Sequence, residues 1–82
     1  MKLPRDLSGQ ELAHLLQKFG YEVSRQTGSH LRLTSNRKGH QHHVTVPAHH
    51  QLKLGTLSTI LSEVAIYLES TKEQVAKELF GG

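Results

Sequence analysis

The sequence predicts an α+β fold: a three-stranded antiparallel sheet with helices packed on one face, in the order α-β-β-β-α with a short extra C-terminal helix. Three observations predict it. Apolar residues recur at helical spacing over 12–19 and again over 57–68. Between them lie three short runs in which apolar and polar residues alternate. The chain has 82 residues, enough for one modest core, and a single layer of helix on sheet is the usual way to build it. The whole of 1–82 is therefore expected to form one domain.

The first helix is expected over 9–19. Ser8 and Glu11 have the spacing of a capping box, Leu12, Leu15, Leu16 and Phe19 form one apolar stripe, and Gly20 suits the position just past the end. Tyr21 and Val23 alternate with Glu22 and Ser24, which predicts the first strand. Leu31 and Leu33 alternate with His30, Arg32 and Thr34 in the second. Val44 and Val46 alternate with His43 and Thr45 in the third, which Pro47 ends. Asn36-Arg37-Lys38-Gly39 is a turn.

If Val23 and Leu31 share the core face, paired positions in the first hairpin must sum to an even number. A three-residue loop, Gln26-Thr27-Gly28, meets that condition, and Gly28 takes its left-handed position. His30 then lies opposite Ser24, with Arg32, His43 and Thr45 on the same open face. Leu57, Ile60, Leu61, Val64 and Leu68 make the stripe of the second helix, with Gly55 or Thr56 at its N-cap. A third helix is expected to start at Ser70, with Glu73 completing a second capping box.

The formal charge of +3 matters less than its distribution. Between residues 23 and 62 there is no Asp or Glu, yet this stretch holds five of the basic residues and six of the seven histidines. That is the footprint of a surface for a polyanion. A short chain has little room for a deep pocket, so its chemistry belongs on an open face, which suits a polymer. Aromatic residues are scarce: Phe19 and Phe80 read as core, and only Tyr21 and Tyr67 remain. This argues for recognition of backbone or shape over base stacking on an aromatic sheet.

The absence of cysteine excludes disulfides and thiolate metal sites. No apolar run approaches the ~20 residues of a membrane span, and the N-terminus lacks the apolar core of a secretory signal, so cytoplasmic residence is expected. The run His40-Gln41-His42-His43, with His49-His50, invites a metal reading. Adjacent strand positions point to opposite faces, so His42 and His43 cannot easily share one ion. No metal and no small-molecule cofactor is expected.

The candidate site is the open face. Histidine titrates near neutrality and can move a proton, and RNA carries its own nucleophile in the 2′-hydroxyl. His30 with nearby cations can therefore be a ribonuclease centre, with Arg25, Arg32 and Lys53 holding phosphate. The free N–H groups near Gly55 and Thr56, at the start of the second helix, can hold it as well. From periodicity alone, a surface histidine at a strand end is more often inert than catalytic, as in a non-catalytic RNA-binding module or an interaction-only protein.

Four pieces of the chain together resemble the HicA (YcfA-like) toxins of bacterial toxin–antitoxin systems. They are Phe19-Gly20-Tyr21 after the first helix; Arg25-Gln26-Thr27-Gly28-Ser29-His30; Val44-Thr45-Val46-Pro47-Ala48-His49; and Leu52-Lys53-Leu54-Gly55-Thr56-Leu57 with Ile60-Leu61. The match spans about residues 7–68. The resemblance implies a double-stranded-RNA-binding-domain-like fold and a small endoribonuclease that cleaves mRNA. It also implies a HicB antitoxin that covers the active face. The catalytic histidine it implies is His30, with Gly28 and Ser29 as its turn and Lys53, Gly55 and Thr56 as the segment before the second helix. The stretch 36–43 is richer in histidine than the family pattern needs, which leaves open an assisting role for His43 or His49.

Overall fold

The computed structural model describes residues 2–81. Helix α1 spans Gly9–Leu15 and tightens into a 3-10 turn over Leu16–Phe19. Strands β1 (Glu22–Thr27), β2 (His30–Ser35) and β3 (His42–Pro47) follow, then α2 (Leu54–Leu68) and α3 (Lys72–Phe80). The strands form one antiparallel meander in the order β1-β2-β3. This is the α+β arrangement expected from the hydrophobic pattern.

The capping box of α1 forms in both directions: the Glu11 N–H donates to Ser8 Oγ at 3.0 Å and the Ser8 N–H to Glu11 Oε1 at 2.8 Å. Gly20 closes the helix in the left-handed region at φ 84°. Leu12, Leu16 and Phe19 from this segment pack with Leu31 and Leu33 of β2 and Val44 and Val46 of β3. Leu57, Ile60, Leu61 and Val64 of α2 and Val75, Ala76 and Leu79 of α3 complete the same cluster. Leu15, Leu68 and Phe80, expected in it, are only partly buried.

Three expectations are corrected. The first hairpin has a two-residue turn, Gly28-Ser29, with Thr27 paired to His30, in place of the three-residue loop. The parity conflict is solved elsewhere, by a β-bulge between Val23 and Arg25 that shifts the register by one residue. His30 therefore faces Thr27, not Ser24. Gly28, at φ 54°, occupies the first central position of the turn, where a glycine-type backbone is required.

The second correction is the N-cap of α2, which is Lys53 and carries no side-chain capping bond. The third is α3, whose N-cap is Thr71. Its hydroxyl accepts from the Gln74 N–H at 3.0 Å, so Glu73 falls one place short of a capping box.

Val23 takes the core side, opposite Leu33, but the helices pack chiefly on β2 and β3, and Val23 stays 49 % exposed. All six residues of β1 are exposed. Polar anchoring of the core falls to two residues. The buried Ser35 hydroxyl donates to the Phe19 carbonyl at 3.0 Å. Tyr67 Oη accepts the Lys38 N–H at 3.0 Å and lies 2.6 Å from the His40 carbonyl, so α2 holds the β2–β3 loop closed.

Gly9 marks the tightest backbone contact. Its N–H donates to the His49 carbonyl at 2.9 Å, and a Cβ here would overlap the Pro47 carbonyl and approach the Ala48 Cα. An exposed helical Gly→Ala change ordinarily gains about 1 kcal/mol. Here Gly9→Ala is expected to lower unfolding free energy by about 2 kcal/mol, because the obstructing atoms are backbone. Urea denaturation checks this; a gain in stability would contradict the contact.

Candidate functional site

The pleat arranges the open face in three rows. The first is Thr27, His30 and Pro47; the second is Arg25, Arg32 and Thr45; the third is Glu22, Thr34 and His43. His30 begins β2, exposed, at the exit of the Gly28-Ser29 turn. The Ala48 N–H donates to the Ser29 carbonyl at 2.6 Å, which ties the turn to the end of β3. Arg25, expected to hold phosphate, lies within β1 directly opposite Arg32. Like charges opposed across a strand pair repel, and a bound polyanion turns that cost into attraction.

In the third row, Ser24 Oγ lies 2.7 Å from Thr34 Oγ1, which lies 2.7 Å from His43 Nδ1. Ser24 also donates to the Arg32 carbonyl at 3.2 Å. The bulge thus puts a hydroxyl where the ladder is interrupted.

Beside this face runs a groove of about 680 Å³ between β3 and α2. His30, His43 and Thr45 line its sheet wall; Gly55, Thr56, Thr59 and Glu63 line its helix wall. Four residue steps from Pro47 back to His43 span about 13 Å of strand, and eight from Gly55 to Glu63 span about 12 Å of helix. The two walls therefore match in length. Gly55 and Thr56 lie at the His30 end, a short loop after Pro47. Glu63 lies at the other end, where its charge acts on His42.

As at any helix start, the N–H groups of Leu54, Gly55 and Thr56 have no intrahelical acceptor, and Lys53 supplies no side-chain cap; Leu57 is the first bonded, to the Lys53 carbonyl at 3.0 Å. Two of the three belong to groove residues. These groups, with Arg32 and Arg25 on the sheet, can hold phosphate beside His30. His49 follows Pro47 closely and is exposed; its carbonyl is the acceptor for Gly9. His43 lies at the far end of the groove from His30.

Glu63 is the residue that sequence reasoning missed. It is the first acid after the acid-free stretch, and folding places it in the groove. The available signal was helical spacing: Thr56, Thr59 and Glu63 fall on one polar flank of α2, beside the apolar stripe. Among the described residues, no three His, Asp or Glu side chains converge closely enough to hold a metal ion.

His42 takes the opposite face from His43, as expected. Its Nδ1 lies 2.7 Å from Tyr21 Oη, and its ring stacks on Tyr67 at 4.7 Å between centroids. Both tyrosines are buried, so neither offers a base-stacking platform. Burial pushes the Tyr21 phenol well above its ordinary value, keeping it neutral beside His42. Burial also lowers the His42 pKa; Glu63 opposes that, and His43 and His40 add to it.

Compared with known proteins, the chain matches the family model described as HicA toxin of bacterial toxin-antitoxin over residues 9–66. The chain belongs to the HicA toxin family. No curated protein and no solved structure matches it. The matched segment runs from the start of α1 nearly to the end of α2, so it contains both walls of the groove. Among the described residues of this toxin, no helix is long and apolar enough to cross a membrane.

The His42 environment fixes a pH dependence. Its folded-state pKa lies below the ordinary 6.5, so the unfolded chain binds a proton first as pH falls. Stability from this residue is complete above that value and is lost as pH drops through it, levelling off below the folded-state pKa. The urea midpoint is expected to fall between about pH 7.5 and about pH 5, and less steeply in His42→Gln. An equal slope in the variant would place the effect on another group.

Proposed function

We propose that this HicA toxin is an endoribonuclease that cleaves mRNA without a metal ion, using His30 as its acid–base residue. A HicB antitoxin neutralises it by covering the open face. The observation that carries the reading is the placement of His30. It is exposed, it leaves a glycine-dependent turn, and it lines the groove that also holds the free N–H groups of α2.

In this reaction His30 takes the proton from a ribose 2′-hydroxyl. The 2′-oxygen attacks the adjacent phosphorus, and the bond from phosphorus to the 5′-oxygen breaks. The products are a 2′,3′-cyclic phosphate and a 5′-hydroxyl. Arg32, Arg25, Lys53 and the backbone N–H groups at Gly55 and Thr56 offset the charge that builds on the phosphoryl oxygens. Ser29 and Gly28 hold the histidine at the turn. The leaving oxygen takes its proton from the conjugate acid of His30 or from His49, which lies closer in the chain to Pro47, the strand partner of His30, than His43 does. The reaction needs a 2′-hydroxyl, so DNA is not a substrate. An mRNA substrate places the toxin in the bacterial cytoplasm.

One observation favours a second reading, a non-catalytic RNA-binding module: no other histidine shares the row of His30. The two readings separate in one experiment. The parent toxin is expected to arrest growth and to cut RNA in EDTA, leaving 5′-hydroxyl ends. His30→Ala, purified and folded, is expected to cut at least 100-fold more slowly. Cleavage by His30→Ala at the parent rate would remove the residue from the mechanism. Salt-sensitive binding with RNA left intact by the parent would establish the binding module instead.

A further inference from the structure

The hydrogen-bond chain in the third row is satisfied in full by one tautomer of His43. Ser24 has one hydroxyl proton and stands 3.2 Å from the Arg32 carbonyl, which can only accept. With that proton committed, Ser24 Oγ must accept from Thr34 Oγ1, 2.7 Å away. Thr34 has then given its own proton, so it accepts from His43 Nδ1 at 2.7 Å. This is the one assignment that makes all three bonds. It places the proton of the neutral ring on Nδ1 and leaves Nε2 as an acceptor.

Across the groove, Glu63 contributes two carboxylate oxygens, which also accept. The two side chains do not satisfy each other: the one ion pair among the described residues joins Lys38 to Glu69. This end of the groove therefore offers acceptors from both walls. The His30 end offers the N–H donors of Gly55 and Thr56, with Arg32 one row further along the sheet. A phosphate fits the His30 end and is repelled from the other. About 13 Å of strand separates them, roughly the reach of two nucleotides in an unstacked chain.

We propose that the His43–Glu63 end of the groove is a nucleobase subsite that selects bases bearing an exocyclic amino group over uracil. An amino group carries two N–H donors, one for Glu63 and one for His43 Nε2. Uracil presents carbonyl oxygens there, and oxygen lone pairs would face a carboxylate and a bare ring nitrogen. Discrimination thus comes from repulsion of the wrong base as well as attraction of the right one. Ser24 and Thr34 are positioning residues that act through the tautomer of His43. The proposal rests on the reading of this toxin's open face as an RNA-binding surface.

The test uses the full chain carrying His30→Ala and two labelled RNA oligomers that differ only by cytosine in place of uracil. Fluorescence anisotropy is expected to show about tenfold tighter binding of the cytosine oligomer. Adding Glu63→Gln should bring the ratio close to one, because the amide offers an N–H to the uracil oxygen. Thr34→Val should shrink the ratio without changing any charge, by releasing the His43 ring. Glu63 is exposed, so its variant has no packing to lose; circular dichroism verifies both folds.

Equal affinity for the two oligomers, no binding of either, or a ratio unmoved by Glu63→Gln would overturn the subsite. Cleavage by the His30 toxin separates the two claims. Cutting both oligomers equally sinks the subsite and leaves the ribonuclease standing. A base preference in binding without any cleavage does the reverse.

Discussion

The alternation of side chains along β2 and β3 governs the rest of this structure. Leu31, Leu33, Val44 and Val46 are buried almost completely, and each is worth about 2 kcal/mol over exposure. A slip of one residue would turn all four to water. The loss, on the order of 8 kcal/mol, rivals the whole stability of a small domain. Burying those four side chains commits His30, Arg32, Thr34, His43 and Thr45 to the opposite side. The chemistry of the open face is thus held in place by the packing beneath it, without a dedicated scaffold.

The same pleat distributes charge along the groove. The N–H groups of Gly55 and Thr56 stand at the His30 end, Arg25 and Arg32 are opposed in the middle row, and Glu63 sits about 12 Å along the helix from Gly55 at the other end. At physiological salt the screening length is about 8 Å, so the ends act on a ligand largely independently. A single net charge for the chain conceals this division. The groove has a direction, and a bound strand with its phosphate at one end and a base at the other would respect it.

Most of the fold was legible because it rests on periodicities that survive in one dimension. Most of the α1 stripe, the alternating runs of β2 and β3 and most of the α2 stripe lie where the pattern puts them, while Val23 of the first run stays half-exposed. The opposite facing of His42 and His43 follows from the same rule. What was not legible depends on exceptions to a period. The bulge at Ser24 leaves no mark in sequence beyond a parity conflict, and a longer turn resolves that conflict equally well on paper. The short turn with a bulge puts Ser24 within reach of Thr34 and Arg32, which a regular ladder does not require. Glu63 was hidden by a different habit of reading. An acid-free stretch describes neighbours along the chain, while the groove draws its walls from β3 and from a helix that returns beside it. The cap positions of α2 and α3 moved by a residue or more, because several polar residues at each start compete for one geometry.

The bulge has another consequence, at the rim of the sheet. β1 is an outer strand whose residues are all exposed, and it carries the half-exposed Val23. A flat edge of this kind is a template on which a second chain can lay its own strand. The register break after Val23 kinks that edge near its start, and Arg25 puts a cation on the straight part that remains. An incoming copy would meet a bent ladder and a matching positive charge. The irregularity that seats a hydroxyl beside Thr34 also guards the molecule against self-association through its barest strand.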